Sequence, residues 1–160
     1  MWELPDSELL KMKCQKIFVP LIYAEIVVKI IEKWDNPEEK LREFGKRIGN
    51  GILTVWYPKK ANSIKKIAQE TYKFLLKQEP PIKMEKDGKT LILKDENCVL
   101  CWNVQAGGLH YCTPYGSLLE TIINYCRNKN PKLPKVRIET TKSKAMGNKY
   151  CEHVIHILEE

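Results

Sequence analysis

Long apolar runs are missing from this 160-residue sequence. No stretch approaches the ~20 residues that cross a bilayer as a helix, and the longest candidate, residues 19–31, is interrupted by Pro20, Glu25 and Lys29. The first residues, MWELPDSELL, also lack the basic-then-apolar order of a secretory signal. We therefore expect no membrane span and a cytoplasmic protein, in which clustered thiols stay reduced and favour metal over disulfides.

Motifs for catalysis and for nucleotide binding are also missing. The sequence has no HExxH or HxE…CxxC arrangement, no Gly-x-Ser-x-Gly element and no phosphate-cradling glycine loop. Gly107-Gly108 is an isolated pair that we expect in a turn, and Glu96 and Glu120 are expected to be surface acids. Nothing recognisable would bind nicotinamide or flavin. These absences disfavour an enzyme.

Composition is that of an ordinary globular protein, with 43% hydrophobic and 29% charged residues. A chain of this length can bury a substantial core, so residues 1–160 are expected to form a single domain. Within it, residues 1–80 are predicted to be the helical part and residues 81–160 the sheet part.

Positive charge is concentrated in one segment. The formal net charge is +7, and residues 127–149 alone carry eight Lys or Arg against one acid, Glu139. Such a segment can attract nucleic acid, anionic lipid or an acidic partner. Because no aromatic residue is interleaved before Tyr150, we interpret it instead as a solvated loop and strand edge, where lysines discourage edge pairing. We expect no nucleic-acid partner.

Residues 20–80 show the three- and four-residue apolar spacing of amphipathic helices. The buried stripe predicted for the first helix comprises Leu21, Ala24, Val28, Ile31 and Trp34. A second helix starts in the run 36–39, where proline at the first position is followed by acids near the positive end of the helix dipole. Gly45 and Gly49 of that helix permit the close approach of a neighbour, and a third helix follows.

Beyond Pro81 the apolar period changes to two. The pattern predicts a hairpin that turns at Asp87-Gly88, a strand over 99–104, and two C-terminal strands at about 135–141 and 150–158. A helix that starts at Thr113-Pro114 separates the two strand regions. The fold class predicted is α+β, with N-terminal helices packed against a mostly antiparallel sheet.

Four cysteines carry the strongest chemical signal in the sequence. Cys98, Cys101 and Cys112 lie in the run NCVLCWNVQAGGLHYC, and Cys151 lies in GNKYCEHVIHI. A Cys-x2-Cys pair and two further thiolates can complete a tetrahedral site of the kind that holds structural zinc. Such a site is closed, so the metal would be structural and not catalytic.

Two histidines enlarge the pool of ligands. If both segments are extended, His110 shares a face with Cys112, and His153 shares a face with Cys151. We prefer the four cysteines because thiolates outcompete imidazole for a soft divalent metal in a closed site. Replacement of one thiolate by His110 or His153 is the alternative.

Other roles of the cysteines stay open at this point. Four thiolates also suit an iron–sulfur cluster. A redox pair at Cys98 and Cys101 is a further alternative, although such pairs normally open a helix and VLCWNV looks extended. Cys14 and Cys126 are interpreted as plain buried side chains, since free cysteines often are.

Several segments resemble the 4-vinyl reductase domain family, namely CVLCWNV, YCTPYGSLLETII and VRIETTKSKAMGNKYCEHVIHI. The upstream run LREFGKRIGNGI is similar to the glycine-containing helix that precedes the domain in members. The resemblance implies an α+β fold shared with small subunits of the TRAPP vesicle-tethering complex and with haem-type nitric-oxide-binding domains. It also implies a small hydrophobic ligand, often beside a cysteine-bound zinc, and a homodimer.

Carried over by position, Cys101 and Cys151 resemble the zinc-binding cysteines of hydrocarbon-sensor relatives. Cys98 and Cys112 resemble cysteines of stand-alone members. Ser143 stands where many relatives have a cysteine, and a neutral serine is a poor zinc ligand, so the metal set must differ from that of the sensors.

The function expected is therefore a zinc-containing, non-catalytic domain that binds a small hydrophobic molecule. Phe44, Trp56, Trp102 and Tyr115 supply an aromatic interior, which ordinary core packing also explains. The alternatives are a reductase acting on a vinyl or tetrapyrrole group, as the family resemblance implies, and a protein-interaction adaptor.

Overall fold

The computed structural model describes residues 21–85, 87–101, 104–105 and 108–158. These residues form four helices: α1 over residues 21–33, α2 Pro37–Leu53, α3 Ile64–Leu76 and α4 Thr113–Lys129. They also form four strands: β1 Ile82–Met84, β2 Thr90–Asp95, β3 Lys135–Lys142 and β4 Cys151–Leu158. The predicted α+β class is confirmed. Cys14, Trp102 and Gly107, to which the sequence analysis gave roles, lie outside the described residues.

The four strands form one antiparallel sheet in the order β1-β2-β4-β3. The predicted hairpin is confirmed, since β1 and β2 pair on either side of the turn that contains Gly88. The strand β4 lies in the middle of the sheet, and its first residue, Cys151, is opposite Asp95 at the end of β2. The strand β3 is at an edge, where Lys135 and Arg137 are exposed, as interpreted for the basic segment.

Glycine allows α2 to pack closely against α4. A Cβ atom placed on Gly45 would lie 2.0 Å from the carbonyl oxygen of Pro114, and one on Gly49 would lie 3.0 Å from the Cβ of Thr121. The prediction of a close neighbour at these two positions is confirmed. On its other side α4 contacts the sheet, where a Cβ on Gly116 would lie 2.9 Å from the hydroxyl of Thr140.

The predicted buried stripe of α1 is wrong in part, since Ala24 and Ile31 pack against the core but the other three members are exposed. Tyr23 and Val27 are the buried residues, whereas Leu21, Val28 and Trp34 are 60%, 38% and 44% exposed. The aromatic contacts of Tyr23 give the physical reason. Its ring lies edge-on at 5.4 Å from that of Tyr111, and its hydroxyl donates to the Tyr111 carbonyl at 2.8 Å. The helical period was right, but Tyr23 determines which face is buried.

The strand predicted over 99–104 is also wrong, because Val99–Cys101 is a turn of 3-10 helix. The Asp95 carboxylate accepts the backbone N–H of Asn97 at 2.9 Å, which turns the chain at the end of β2. The N–H of Cys101 then donates to the carbonyl of Cys98 at 3.3 Å. Both cysteines therefore lie on a tight turn.

Glu120 is not the surface acid that was expected. Its side chain is only 15% exposed, and its Oε2 lies 2.8 Å from a guanidinium nitrogen of Arg42. The same oxygen accepts the backbone N–H of Ile138 at 2.7 Å. The carboxylate thus joins α2, α4 and β3. Glu96 is exposed, as expected.

Within the part of the chain that the structure describes, no helix combines the length and apolar character needed to cross a membrane.

Candidate metal centre

The four predicted cysteines come together in the interior. The sulfurs of Cys98, Cys101, Cys112 and Cys151 all lie within 4.8 Å of one another, and all four residues are buried. Cys112 is 3.5 Å from Cys98 and from Cys151, and 2.8 Å from Cys101, which is 3.5 Å from Cys151. None of the four forms a disulfide. Residues 53 positions apart in the chain therefore contribute to one cluster of thiols.

Each thiol comes from the end of a regular element. Cys98 and Cys101 flank the turn that follows β2, Cys112 is the residue before α4, and Cys151 begins β4. The start of α4 is fixed by proline in its first turn and by the Cys112 carbonyl, which accepts the N–H of Gly116 at 3.2 Å. The start of a helix and the start of a strand therefore position the sulfurs of Cys112 and Cys151.

Cys151 receives a hydrogen bond from the backbone. The N–H of Lys144 donates to its sulfur at 3.3 Å. Lys144 begins the short 3-10 turn Lys144–Met146, which Gly147 closes with a φ of 85°, a left-handed conformation that suits glycine. Outer hydrogen bonds of this kind orient the ligands of a metal, so this turn positions the sulfur of Cys151 in the cluster.

Hydrogen bonds within the cluster favour the ionisation of one thiol, Cys101, and oppose that of two others, Cys98 and Cys112. Hydrogen bonds from Cys112, Cys151 and Cys98 lower the pKa of Cys101 far below its usual range. The pKa values of Cys98 and Cys112 are raised. The largest cause is the hydrogen bond that each of them donates to the Cys101 sulfur. On its own, the cluster therefore accommodates one thiolate readily and resists further negative charge. A divalent cation would remove that resistance, since it compensates the charge of several thiolates at once.

The geometry of the cluster fits such a cation. A zinc–sulfur bond of about 2.3 Å puts the corners of a tetrahedron about 3.8 Å apart. The sulfurs lie 2.8 to 3.5 Å apart where they touch and no more than 4.8 Å apart elsewhere, so small shifts of the side chains give a regular tetrahedron. The four cysteines can therefore hold a metal ion.

The two histidines named as alternative ligands are not members of this group of mutually close donor atoms. His153 is buried beneath α4, and its Nδ1 lies 3.0 Å from the hydroxyl of Thr140. Burial disfavours the imidazolium and lowers the pKa of His153 to about 4. His110 is half-buried two residues before Cys112, and its carbonyl accepts the N–H of Thr113 at 2.9 Å.

Ser143 lies beside the cluster. It is fully buried, and its hydroxyl oxygen is 3.5 Å from the sulfur of Cys101. That oxygen also accepts the backbone N–H of Ala145 at 3.2 Å. The position at which relatives are expected to have a cysteine is therefore next to the thiols in space. The remaining cysteine with an assigned role, Cys126, is buried on α4, as expected.

Two buried tyrosines flank Cys112 in the chain; Tyr115 was expected in the interior, whereas Tyr111 was not predicted. The hydroxyl of Tyr111 is buried without a hydrogen-bond partner among the described residues, and so is that of Tyr115. The Tyr115 ring packs edge-on against Tyr72 at 4.6 Å and lies 5.7 Å from the ring of His153. Two interior hydroxyl donors are therefore left near the cluster. The sequence signal was the placement of both tyrosines within four residues of Cys112.

The fold is similar to those of two solved proteins, although no protein-family model and no curated protein matches the sequence. One is a trafficking protein particle complex subunit 3 from Naegleria fowleri with palmitic acid covalently bound, at a TM-score of 0.71 and 16% identity, over 92% of this chain and 97% of that one. The other is an H-NOX protein from S. oneidensis in the Fe(II)NO ligation state, at a TM-score of 0.53 and 12% identity, over 88% of this chain and 74% of that one. At these identities the likeness concerns the fold alone, and it confirms that the chain has an α+β fold resembling that of a TRAPP subunit.

Proposed function

We propose that Cys98, Cys101, Cys112 and Cys151 hold a structural zinc ion in a non-catalytic domain that binds a small hydrophobic molecule. The observation that carries the proposal is the meeting of four buried sulfurs, all within 4.8 Å, from three separate parts of the chain. Buried thiols are common singly, but four in mutual contact suit a cation far better than an apolar core. Neither His110 nor His153 is needed to complete the set.

A zinc ion bound there would join the turn after β2, the start of α4 and the start of β4. All four positions of a tetrahedral ion would be filled by thiolates, which leaves none for a substrate or for water. The site therefore supports a stabilising role. An iron–sulfur cluster uses the same ligands, so the identity of the metal is one outcome of the test.

Binding of a hydrophobic ligand is the second part of the proposal. Two proteins of similar fold carry a ligand, palmitic acid in one and nitric oxide on iron in the other. The buried hydroxyls of Tyr111 and Tyr115 suit a ligand that has one hydrogen-bond acceptor on an otherwise apolar body. In this proposal residues 1–160 act as one domain of the 4-vinyl reductase type.

A homodimer is the third part. Helix α1 buries Tyr23 and Val27, yet it also exposes Leu21, Ile22 and Ile26 by 60%, 47% and 36%. That is more apolar surface than one buried face requires. Pairing with a second copy of the chain would cover it. Sedimentation equilibrium tests this part, since we expect a dimer that Ile26→Glu converts to a monomer.

The metal and the ligand are tested together by native mass spectrometry of protein purified without chelator. We expect the mass of one zinc and of an apolar molecule above that of the polypeptide. Cys101→Ser and Cys151→Ser should lose the metal and melt about 10 °C lower. We expect each variant to lose about 3–4 kcal/mol of unfolding free energy, and each kcal/mol lowers the Tm of a chain of this size by about 2–4 °C. Cys126→Ser, a buried thiol outside the cluster, is the matched control and should keep the metal.

Other outcomes favour other functions. Turnover of a vinyl-bearing substrate in the presence of a reductant would contradict a non-catalytic domain and support the reductase. A chain that carries metal but no small molecule, and that pairs with a different protein, would support the adaptor.

A further inference from the structure

A surface with apolar and basic side chains lies at the end of α2. This part of the chain is distant in sequence from the four thiols. Val55 is 83% exposed, more than any other large hydrophobic residue among those the structure describes. Its backbone N–H donates to the carbonyl of Ile52 at 3.0 Å, so the last turn of the helix fixes the position of the side chain. An aliphatic side chain held in solvent by ordered backbone calls for an explanation.

The two residues that follow Val55 in the chain are aromatic, and each pairs with a second ring. The Trp56 ring stacks on that of Phe74 in α3, with centroids 4.1 Å apart and planes 1° apart, and Phe74 is 40% exposed. The Tyr57 ring packs edge-on against that of Tyr125 in α4, at 5.5 Å. Contacts to two helices thus make the loop after α2 a rigid apolar platform.

Lysines border the platform. The ammonium group of Lys59 lies 5.6 Å from the centre of the Tyr57 ring, and that of Lys129 lies 5.5 Å from the centre of the Tyr125 ring. Lys60 is exposed beside them, and Val55, Lys59 and Lys60 line one shallow groove of about 370 Å³. Glu70 is the one acid among the described residues that line it. Positive charge therefore surrounds an exposed apolar centre.

We propose that this surface, the Val55 patch (Val55, Trp56, Tyr57, Lys59, Lys60 and Lys129), docks the protein on an anionic lipid bilayer. Aliphatic and aromatic side chains enter the headgroup–acyl boundary, while lysine stems extend along it and place their charges among the anionic headgroups. Complementary charge identifies the lipid as anionic.

Two details favour lipid over single-stranded nucleic acid. The faces of Trp56 and Phe74 are stacked on each other, so they are less available to stack on bases. Val55, the most exposed member, has no π-face at all. Neither the stacked rings nor the aliphatic side chain of Val55 hinders insertion into the bilayer, because burial of apolar area needs no particular ring geometry.

The test is co-sedimentation of the full chain with phosphatidylcholine vesicles, with and without phosphatidylserine. We expect binding to the anionic vesicles alone. Val55→Asp should weaken it about tenfold or more, because it removes an aliphatic side chain that would become buried in the bilayer. The double variant Lys59→Glu, Lys60→Glu should weaken it by more than about tenfold. Both change exposed side chains, and a thermal melt verifies that they fold.

Matched controls separate the patch from general charge and hydrophobicity. Met84→Asp alters a side chain that is 53% exposed on β1, and Lys132→Glu, Lys135→Glu changes the net charge by the same amount within the basic segment. Both should keep wild-type binding. The proposal is overturned if the wild type ignores anionic vesicles or if the controls bind as weakly as the patch variants. A competition experiment gives a further outcome that would overturn the proposal. In that outcome an oligonucleotide displaces the protein from vesicles and binds Val55→Asp as tightly as it binds the wild type.

Discussion

The backbone N–H of Lys144 donates a hydrogen bond to the sulfur of Cys151 across 3.3 Å. This contact joins the short turn after β3 to the cluster of thiols. An outer hydrogen bond of this kind orients a metal ligand and is part of what sets the affinity of a site for its metal. The turn thus contacts the candidate metal centre, although it contributes no thiol to it.

Removal of this N–H should weaken the metal site. Lys144→Pro deletes the donor, and proline suits the first position of the turn because the preceding residue, Ser143, is extended at φ −139° and ψ 135°. Loss of an outer hydrogen bond to a ligand costs about 10- to 100-fold in metal affinity. Competition with a chromogenic chelator measures the change.

Lys144→Ala is the control for that experiment. It keeps the N–H but, like the proline variant, loses the ammonium group that donates to the Glu96 carbonyl at 2.7 Å. The alanine variant should bind metal as the wild type does. Equal weakening in both variants would show that the hydrogen bond to sulfur is unimportant.

A cysteine at position 143 should replace a missing ligand. The Ser143 hydroxyl is 3.5 Å from the Cys101 sulfur, so a thiol there would be within reach of a shared metal. We expect Cys98→Ser to lose most of its metal and the added Ser143→Cys substitution to restore it. Metal content after gel filtration is the measurement. Failure of the double variant to regain metal would mean that position 143 cannot contribute a ligand.

Substitution of Gly45 should destabilise the fold. A Cβ at that position would lie 2.0 Å from the Pro114 carbonyl oxygen, so α2 and α4 must separate, at a cost of about 3 kcal/mol. Gly51→Ala is the matched control on the same helix, where an added Cβ meets nothing within 4 Å. It should be neutral or stabilising by up to about 1 kcal/mol. Urea unfolding of both variants gives the free energies, and equal stabilities would contradict the packing described.

Much of the fold was predictable because local patterns determine it. The change of apolar period from helical to alternating located the sheet, and Asp87-Gly88 and Thr113-Pro114 marked a turn and a helix start that the structure contains. The gathering of the four cysteines was also predicted, since thiolates of this number and spacing are typical of a metal site.

The predictions that failed depended on contacts between residues that are distant in sequence. Tyr23 docks on Tyr111, 88 positions away, and this contact determines the buried face of α1 although other residues show the same period. Glu120 is covered because Arg42, 78 positions earlier, and the backbone of Ile138 lie against it. The turn at Val99–Cys101 replaced a predicted strand because one carboxylate, that of Asp95, accepts a backbone N–H and bends the chain.

The metal content of the purified protein tests the central claim most directly. Inductively coupled plasma mass spectrometry of the full chain, expressed without added metal and purified without chelator, should find close to one zinc per chain. That zinc should be absent from Cys101→Ser and present in Cys126→Ser. A wild-type protein that contains neither zinc nor iron, while its cysteines remain reduced and its fold intact, would contradict the account.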